Sequence, residues 1–291
     1  MVDRIVAFKK ANDPQFLYLL LTYLCNTQSD SELLNSKGVE ALFIHQNAFI
    51  DEQIYTIEHG AEKRYAAVHN ANTSVTNFKR HHLAWGVKQI ALITYAVEHI
   101  ESVESIAGYK DLAYVNKDDT GKTKHIMGDQ VAKILNASRC GIILSEAEGA
   151  NYSSTEYILC GLPVVSTPSV GGRDEFFDPR HVKIVEPEAT AVEKAVAEWG
   201  ERAPFPEDIR ASALQKSKMF RARLLHWLSA LSGQDLFADA NENLWSPLFI
   251  DKLRKWVTVD PYKIPEWDDP TAKQSKGLSK FLKMLRAQIG E

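Results

Sequence analysis

Two glutamates, Glu148 and Glu156, stand with seven residues between them, and that interval holds Asn151, Ser153, Ser154 and Thr155. The polar group falls where a loop runs into a helix. Free backbone N–H groups at a helix N-terminus favour an anion, phosphate above all. A carboxylate in the loop before such a helix can accept hydrogen bonds from sugar hydroxyls, and a second one turn into the helix can hold a ribose diol. The arrangement suits a sugar nucleotide, with nucleoside at one end, phosphate in the middle and sugar at the other. The same residues also have a plainer reading. Ser153 and Glu156 are spaced as a capping box, and Glu148 is then an exposed loop carboxylate.

A second group is the run Phe78-Lys79-Arg80-His81-His82, the densest basic cluster in the first third of the chain. Arg suits two-pronged phosphate contacts, and His supplies a proton or a hydrogen bond. Lys79, Arg80 and His81 can hold a phosphate or an acidic sugar; the alternative is a solvated helix start before Leu83-Ala84-Trp85. His45, Asn47, His69 and Asn70 are further polar candidates, each readable as an ordinary loop residue.

The elements around the glutamates form a repeating pattern. Cys140 to Ser145 is a short apolar run, as expected of a strand buried on both faces of a parallel sheet. Ser153 to Leu159 has helix character, and Gly161 and Pro163 stop it. Leu162 to Ser166 is a second buried strand, and Gly171-Gly172 marks a turn near its carboxyl end. In open α/β sheets ligands bind where loops leave the carboxyl ends of strands, and both polar loops sit at that edge.

On these residues the segment resembles the C-terminal domain of retaining GT-B glycosyltransferases of the family 4 (group 1) kind. Members of that family carry a Glu, seven residues and a second Glu, matched here by Glu148 and Glu156. A small residue, Gly and Pro then lead into a Val-Val strand and a Gly-Gly-x-x-Glu turn, matched by Cys160-Gly161-Leu162-Pro163-Val164-Val165 and Gly171-Gly172-Arg173-Asp174-Glu175. The amphipathic helix Gly128 to Ala137, the strand Val182 to Pro187 and the helix Ala191 to Trp199 extend the match over residues 125 to 199. The resemblance implies a nucleotide-sugar donor and retention at the anomeric carbon. It implies no bound metal and no cofactor other than the nucleotide sugar as substrate; Asp118-Asp119 reads as an exposed turn. Glu148 then contacts the donor sugar and Glu156 the ribose, while Asn151, Ser153, Ser154 and Thr155 present the helix start to the phosphate. Gly171 and Gly172 allow close backbone approach, and Arg173 with Glu175 orients that loop or the sugar. The family places a Gly-Arg and a Lys after the first strand of this domain. The strand Gln89 to Val97, expected to open it here, is followed by Glu98-His99. Lys110, Lys117, Lys122, Lys124, Arg173 or the Lys79-Arg80 pair must then supply the cations.

The rest of the chain is ordinary for a globular protein of 291 residues, 45% hydrophobic and 25% charged. A net charge of −4 argues against a broad attraction to nucleic acid. Cys25, Cys140 and Cys160 form no metal-type spacing, and an odd count without a signal peptide points to a reducing cytoplasm. The run Phe16 to Cys25 is too short to span a bilayer. A strand through Ile5 to Phe8, a helix over Gln15 to Cys25, a polar segment Thr27 to Lys37 and a strand Val39 to Ile44 come first. Short strands at Ile54 to Ile57 and Tyr65 to Val68, then a polar loop His69 to Thr73, complete a reduced α/β unit. After the strand Leu112 to Asn116 and the central segment, Asp208 to Leu231 and Trp245 to Val257 read as helices. Lys263 to Thr271 reads as a linker and Lys276 to Ile289 as a basic amphipathic helix. The last of these fits an anionic membrane surface or a partner, or packing on its own domain.

The expected fold is therefore α/β and GT-B-like: two Rossmann-like units with parallel sheets, the N-terminal one reduced, and a helical C-terminal tail. The boundaries are 1–85 for an acceptor-side unit, 86–205 for the donor-binding unit and 206–291 for the extension. The expected activity is transfer of a sugar, of the hexosyl kind and in polysaccharide biosynthesis, to a glycan, lipid-linked glycan or small molecule. The setting is cytoplasmic, with membrane contact through 276–291 and self-association as further candidates. The alternatives are a catalytically silent sugar-nucleotide-binding subunit that needs a partner, and a GT-B-like epimerase or hydrolase.

Overall fold

The computed structural model describes residues 22–72, 78–94, 113–116 and 124–232. All of these fall within one compact unit spanning residues 1–244. The expected strand at 5–8, most of the helix at 15–25, the turn at 117–122, and every element expected beyond residue 232 lie outside the described residues.

The chain first builds a small parallel unit. Strand β1 (Tyr23–Cys25) pairs with β2 (Ala41–Phe43), and helix α1 (Gln28–Ser36) crosses between them. Thr27 caps α1 by accepting a hydrogen bond from the Asp30 N–H at 3.0 Å. Two expectations change here. Residues 23–25 are strand rather than the end of a helix, because they extend beside Ala41–Phe43. The polar segment 27–37 is a helix, anchored by the buried Leu34 and by its cap.

The main sheet has six parallel strands in the order β5-β4-β3-β6-β7-β8. They are β3 (Ala67–Asn70), β4 (Ile90–Ile93), β5 (Ala113–Tyr114), β6 (Gly141–Ile143), β7 (Val164–Ser166) and β8 (Val182–Ile184). Sequence order runs outward one way from β3 and then outward the other way from β6, which is the 3-2-1-4-5-6 order of a dinucleotide-binding Rossmann sheet. Strand β3 is therefore the first strand of this sheet. The strand expected from Gln89 is its second, and His69 and Asn70, expected in a loop, belong to β3. The sheet thus starts before residue 86, where the sequence reading drew a boundary. Residues 54–57, expected as a strand, form turns and extended chain without a sheet partner.

Helices cover both faces. Cys140, Ile142 and Leu144 point to one side and pack with Ala67, Leu83, Ile90, Val165 and the helix α4 (Ala189–Glu201) through Val192, Val196 and Trp199. Gly141 points to the other side, where a Cβ would fall on the ring of Tyr157 in helix α3 (Tyr152–Leu159). Helix α2 (Asp129–Asn136) precedes β6. The last described helix, α5 (Pro206–Ser232), runs back onto the first unit. Its Arg221 donates to the Ala48 carbonyl at 2.6 Å and to both oxygens of Glu52, and Arg210 donates to the Glu52 carbonyl at 2.7 Å. Phe220 meets Phe43 edge-on at 5.0 Å. No helix among the described residues is long and apolar enough to cross a membrane.

Candidate functional site

A 3-2-1-4-5-6 sheet has one place where neighbouring strands send their following loops to opposite sides, and here it lies between β3 and β6. Ligands of such sheets bind in the crevice that opens there. The opening is visible in the hydrogen bonds. Val68 N–H still donates to the Cys140 carbonyl at 2.9 Å. A continued ladder would next join Asn70 N–H to the Ile142 carbonyl. Instead Asn70 N–H donates to the Tyr157 hydroxyl at 2.7 Å, and the Ile142 carbonyl lies 3.1 Å from His69 Nδ1. Two side chains therefore satisfy the backbone groups that the parting strands leave behind. Tyr157 reaches that position because Gly141 has no Cβ to block its ring.

Glu148 follows β6 at the mouth of this crevice and is held on both oxygens. Oε1 is ion-paired with the Lys79 ammonium, which comes from the chain after β3. Oε2 accepts from Ser145 Oγ at 2.6 Å and from Asn151 Nδ2 at 2.5 Å. Both members of the ion pair are nearly withdrawn from solvent, with side-chain exposures of 10% for Lys79 and 12% for Glu148. The loops after β3 and β6 are thus joined by a charge pair across the crevice.

Asn151 has a second task. Its Oδ1 accepts from the Ser154 N–H at 3.0 Å, so Asn151 is the N-cap of α3. The capping box of Ser153 and Glu156, the plainer alternative, is not formed, since Ser153 Oγ donates to the Asn70 carbonyl at 3.1 Å. Ser154 Oγ donates to the Asn151 carbonyl at 2.7 Å, and Thr155 Oγ1 accepts from Asn47 Nδ2 at 2.8 Å. The hydroxyls of Ser153, Ser154 and Thr155 therefore tie the helix start to its surroundings. Glu156 sits half-buried one turn along α3, within electrostatic reach of Cys160.

The Gly171-Gly172 turn packs on the Glu148 loop. Gly171 has φ +107°, and a Cβ there would fall on the Glu148 carbonyl; a Cβ on Gly172 would fall on the carbonyls of Asn26 and Gly149. The close approach allowed by these glycines is to protein backbone. Arg173 is fully buried and spends all five donors within the protein. Nε and Nη2 hold Asp174 at 2.6 and 3.2 Å, Nη1 meets the Ser145 carbonyl and Ser145 Oγ, and Nη2 donates to the Thr167 carbonyl at 2.5 Å. It clamps the ends of β6 and β7 together, which removes it from the set of available phosphate cations. Glu175 lies 3.7 Å from Lys216 of α5.

The first unit turns its own strand ends to the same edge. His45, after β2, lies 2.9 Å from the Gly172 carbonyl through Nε2, and its Nδ1 accepts the Asn47 N–H at 3.2 Å. These partners fix the neutral Nε2–H tautomer, and burial pushes the ring's pKa down to about 4. Asn47 Nδ2 donates to the Asn151 carbonyl at 2.7 Å. His81 lies 2.9 Å from His69, Nδ1 to Nε2, and both rings are buried. Burial lowers His69 to about 4, and burial with the neighbouring His69 lowers His81 to about 3. Arg80, in left-handed backbone at φ 50°, pairs with Glu146 at 3.2 Å and reaches the Pro168 carbonyl at 3.3 Å.

Of the residues singled out in the sequence, Glu148, Lys79 and Asn151 meet directly, and Arg80, His81, Gly171 and Gly172 flank them. Lys79 and Arg80 follow the first strand of the sheet, where the resemblance expects its cations; the strand 89–97 was the wrong one to search after. Ser145 and Tyr157 were missed. Their signal is purely spatial, apart from the position of Ser145 at the end of an apolar run. Among the described residues no three His, Cys, Asp or Glu side chains gather as a metal ion would need.

No protein-family model and no curated protein sequence matches this chain. Solved structures do. HepE of Anabaena, in complex with UDP-glucose, aligns over 71% of this chain and 63% of its own with a TM-score of 0.53 at 15% identity. The sucrose-phosphate synthase of Thermosynechococcus elongatus aligns over 75% and 58% with a TM-score of 0.52 at 14% identity. A glycosyltransferase from Rickettsia africae aligns over 75% and 65%, again with a TM-score of 0.52 at 14% identity. The chain thus spans less than two thirds of each of these proteins. At such identities the likeness is one of fold: mixed α/β with parallel sheets, as in GT-B glycosyltransferases.

Proposed function

We propose that this protein is a glycosyltransferase that binds a nucleotide-sugar donor in the crevice between β3 and β6. The observation that carries the reading is the position of Glu148. It stands at the topological switch point, oriented by Lys79 from the neighbouring loop and by Ser145 and Asn151 on its other oxygen. The chemistry of that set fits a ligand with an anionic and a hydroxyl-rich part. Lys79 and the start of α3 face the phosphates, Glu148 accepts from sugar hydroxyls, and Glu156 takes the ribose. The departing phosphate charge is stabilised by fixed donors and cations rather than by proton transfer from the protein. His81 and Arg80 belong to the same wall. The structural neighbours named above include one bound to UDP-glucose, which supports a nucleotide-sugar ligand.

The finer reading rests on the sequence resemblance: family 4 (group 1), retention, hexosyl transfer, and no requirement for a bound metal. The acceptor is a glycan, a lipid-linked glycan or a small molecule, met on the side of the first unit, and residues 276–291 are the candidate contact with a membrane from the cytoplasmic side. The test is thermal unfolding against UDP, GDP, dTDP, ADP and CMP and their sugar conjugates. Ligand at about 100 times its dissociation constant adds about 2.7 kcal/mol, which for a chain of this size raises Tm by roughly 5–10 °C. One base is expected to shift Tm, and Glu156→Ala to abolish the shift. No shift with any member of the panel sinks the proposal.

A second reading is favoured by one feature. The cations at this edge are already matched: Lys79 by Glu148, Arg80 by Glu146 and Arg173 by Asp174. A chain that binds the donor weakly and needs a partner to complete the site is consistent with that pairing. Donor hydrolysis or transfer by the isolated chain decides against this second reading.

A further inference from the structure

The histidine pair beside the crevice has one more place for a proton than two neutral rings can fill. His69 Nδ1 lies 3.1 Å from the Ile142 carbonyl, and His81 Nε2 lies 3.1 Å from the Asn72 carbonyl. A carbonyl only accepts, so each of these outer nitrogens must carry its proton. A neutral imidazole has a single N–H. The two inner nitrogens, His69 Nε2 and His81 Nδ1, are then both bare, yet they face each other at 2.9 Å. Two lone pairs meet at hydrogen-bond distance. One added proton between them turns the contact into a charge-assisted N–H···N bond and leaves every ring nitrogen partnered.

The surroundings explain why the free protein resists that proton. Burial disfavours charge on both rings, and the nearby Lys79 ammonium and His82 act in the same direction. Glu148 offsets Lys79 through their ion pair, and the Tyr157 hydroxyl closes the side of α3 through Asn70. A bound phosphate changes this balance. It brings negative charge to the loop that carries both Lys79 and His81, where little solvent screens it.

We propose that His69 and His81 act as one proton-binding unit, taking up a single proton shared between His69 Nε2 and His81 Nδ1 when a phosphate-bearing ligand occupies the crevice. The proposal rests on the reading of that crevice as an anion site. The bond formed is N–H···N between the rings, the proton comes from solvent, and nothing is oxidised or reduced. The pair then supplies the positive charge that the matched Lys and Arg side chains do not. It also makes binding of the anion weaker as pH rises, because the required proton becomes scarcer.

Calorimetry with inorganic pyrophosphate tests this at pH 7 in three buffers of different ionisation enthalpy. The expected result is net uptake approaching one proton per pyrophosphate bound, falling toward zero in His69→Gln and in His81→Gln. A binding heat independent of the buffer overturns the proposal, as does uptake that survives both substitutions. Failure of pyrophosphate to bind removes the anion reading, and the pair is then judged in the free protein. With histidine labelled by nitrogen-15, acid titration should show one proton entering both rings in a single step, with a far-downfield bridging proton. Two separate ring titrations, or no bridging signal, overturn the shared-proton unit. This second measurement uses the unaltered chain, so it stands even where a glutamine variant does not fold.

Discussion

Arg173→Met separates a ligand-binding arginine from a structural one. Methionine keeps most of the unbranched stem and its volume, so the change removes hydrogen-bond donors while leaving little cavity. The structure gives the guanidinium two buried carbonyls to satisfy, those of Ser145 and Thr167, at the ends of β6 and β7. Ser145 is 2% exposed and Thr167 is 0% exposed, so water cannot replace the lost donors. Each buried carbonyl left without a partner costs about 1–3 kcal/mol; the Thr167 carbonyl keeps only a long contact from Ser166 Oγ at 3.4 Å, and the two losses together cost about 4 kcal/mol. Asp174 also loses its partner, but at 30% side-chain exposure it can turn to solvent. Urea unfolding followed by tryptophan fluorescence reads the effect. With a slope near 2 kcal/mol/M, the midpoint is expected to fall by about 2 M at unchanged slope. Nucleotide binding by the remaining folded protein is expected to change much less than stability. A midpoint within about 0.5 M of the parent, together with lost nucleotide binding, refutes the reasoning and returns Arg173 to the ligand.

Gly141→Ala tests the packing that lets Tyr157 reach Asn70. The added methyl lands on the Tyr157 ring, so overpacking of about 1–3 kcal/mol is expected in the same unfolding assay; an unchanged midpoint contradicts the account of the crevice. For His45 the pKa falls from the ordinary 6.5 to about 4 on folding. The unfolded chain therefore binds more protons between those values, and stability is lost as pH drops through that window. Unfolding midpoints are expected to record a loss of about 2 kcal/mol by pH 5 and about 3 kcal/mol by pH 4 from this residue. His45→Gln should remove that part of the slope, and a slope unaltered by the substitution rules the contribution out.

The strands were legible where both faces are covered, because burial on two sides leaves an unbroken apolar run. The stretches around Ile142, Val164 and Ile90 read correctly for that reason. Strand β3 was legible only in part: a strand was expected at 65–68, but its end, His69 and Asn70, read as a loop. Polar residues at a strand end look like a loop until the partner strand is seen to part from it, and here their polarity serves the split. Helix α1 was missed because Leu33 and Leu34 are its only large apolar residues, and its one clear signal was the Thr27 cap. The capping box offered as the plainer reading of α3 fails for a different reason. The run Asn151-Tyr152-Ser153-Ser154 offers three residues able to cap, and only tertiary contact decides which is free to do so: Ser153 is taken by the Asn70 carbonyl. The pairing of Lys79 with Glu148 spans 69 positions and leaves no trace in local pattern. Both residues were nominated separately by their chemistry, and the sheet order is what brings them together.

That ion pair also bears on which ligands the crevice can accept. A bare anion such as pyrophosphate that takes the Lys79 ammonium leaves Glu148 with one oxygen unmatched in a nearly closed site, a cost that weakens its binding relative to the whole ligand without preventing it. A bare sugar that takes the Glu148 oxygen strands Lys79 in the same way. A ligand carrying phosphate and sugar hydroxyls a few ångströms apart satisfies both at once, while Ser145 and Asn151 keep the carboxylate in place on its other oxygen. Neutral on its own, the pair works against either half of a nucleotide sugar and in favour of the whole. On the proposed reading, the matched charges at this edge are a source of selectivity, and the histidine unit beside them supplies the net positive charge that a diphosphate still requires.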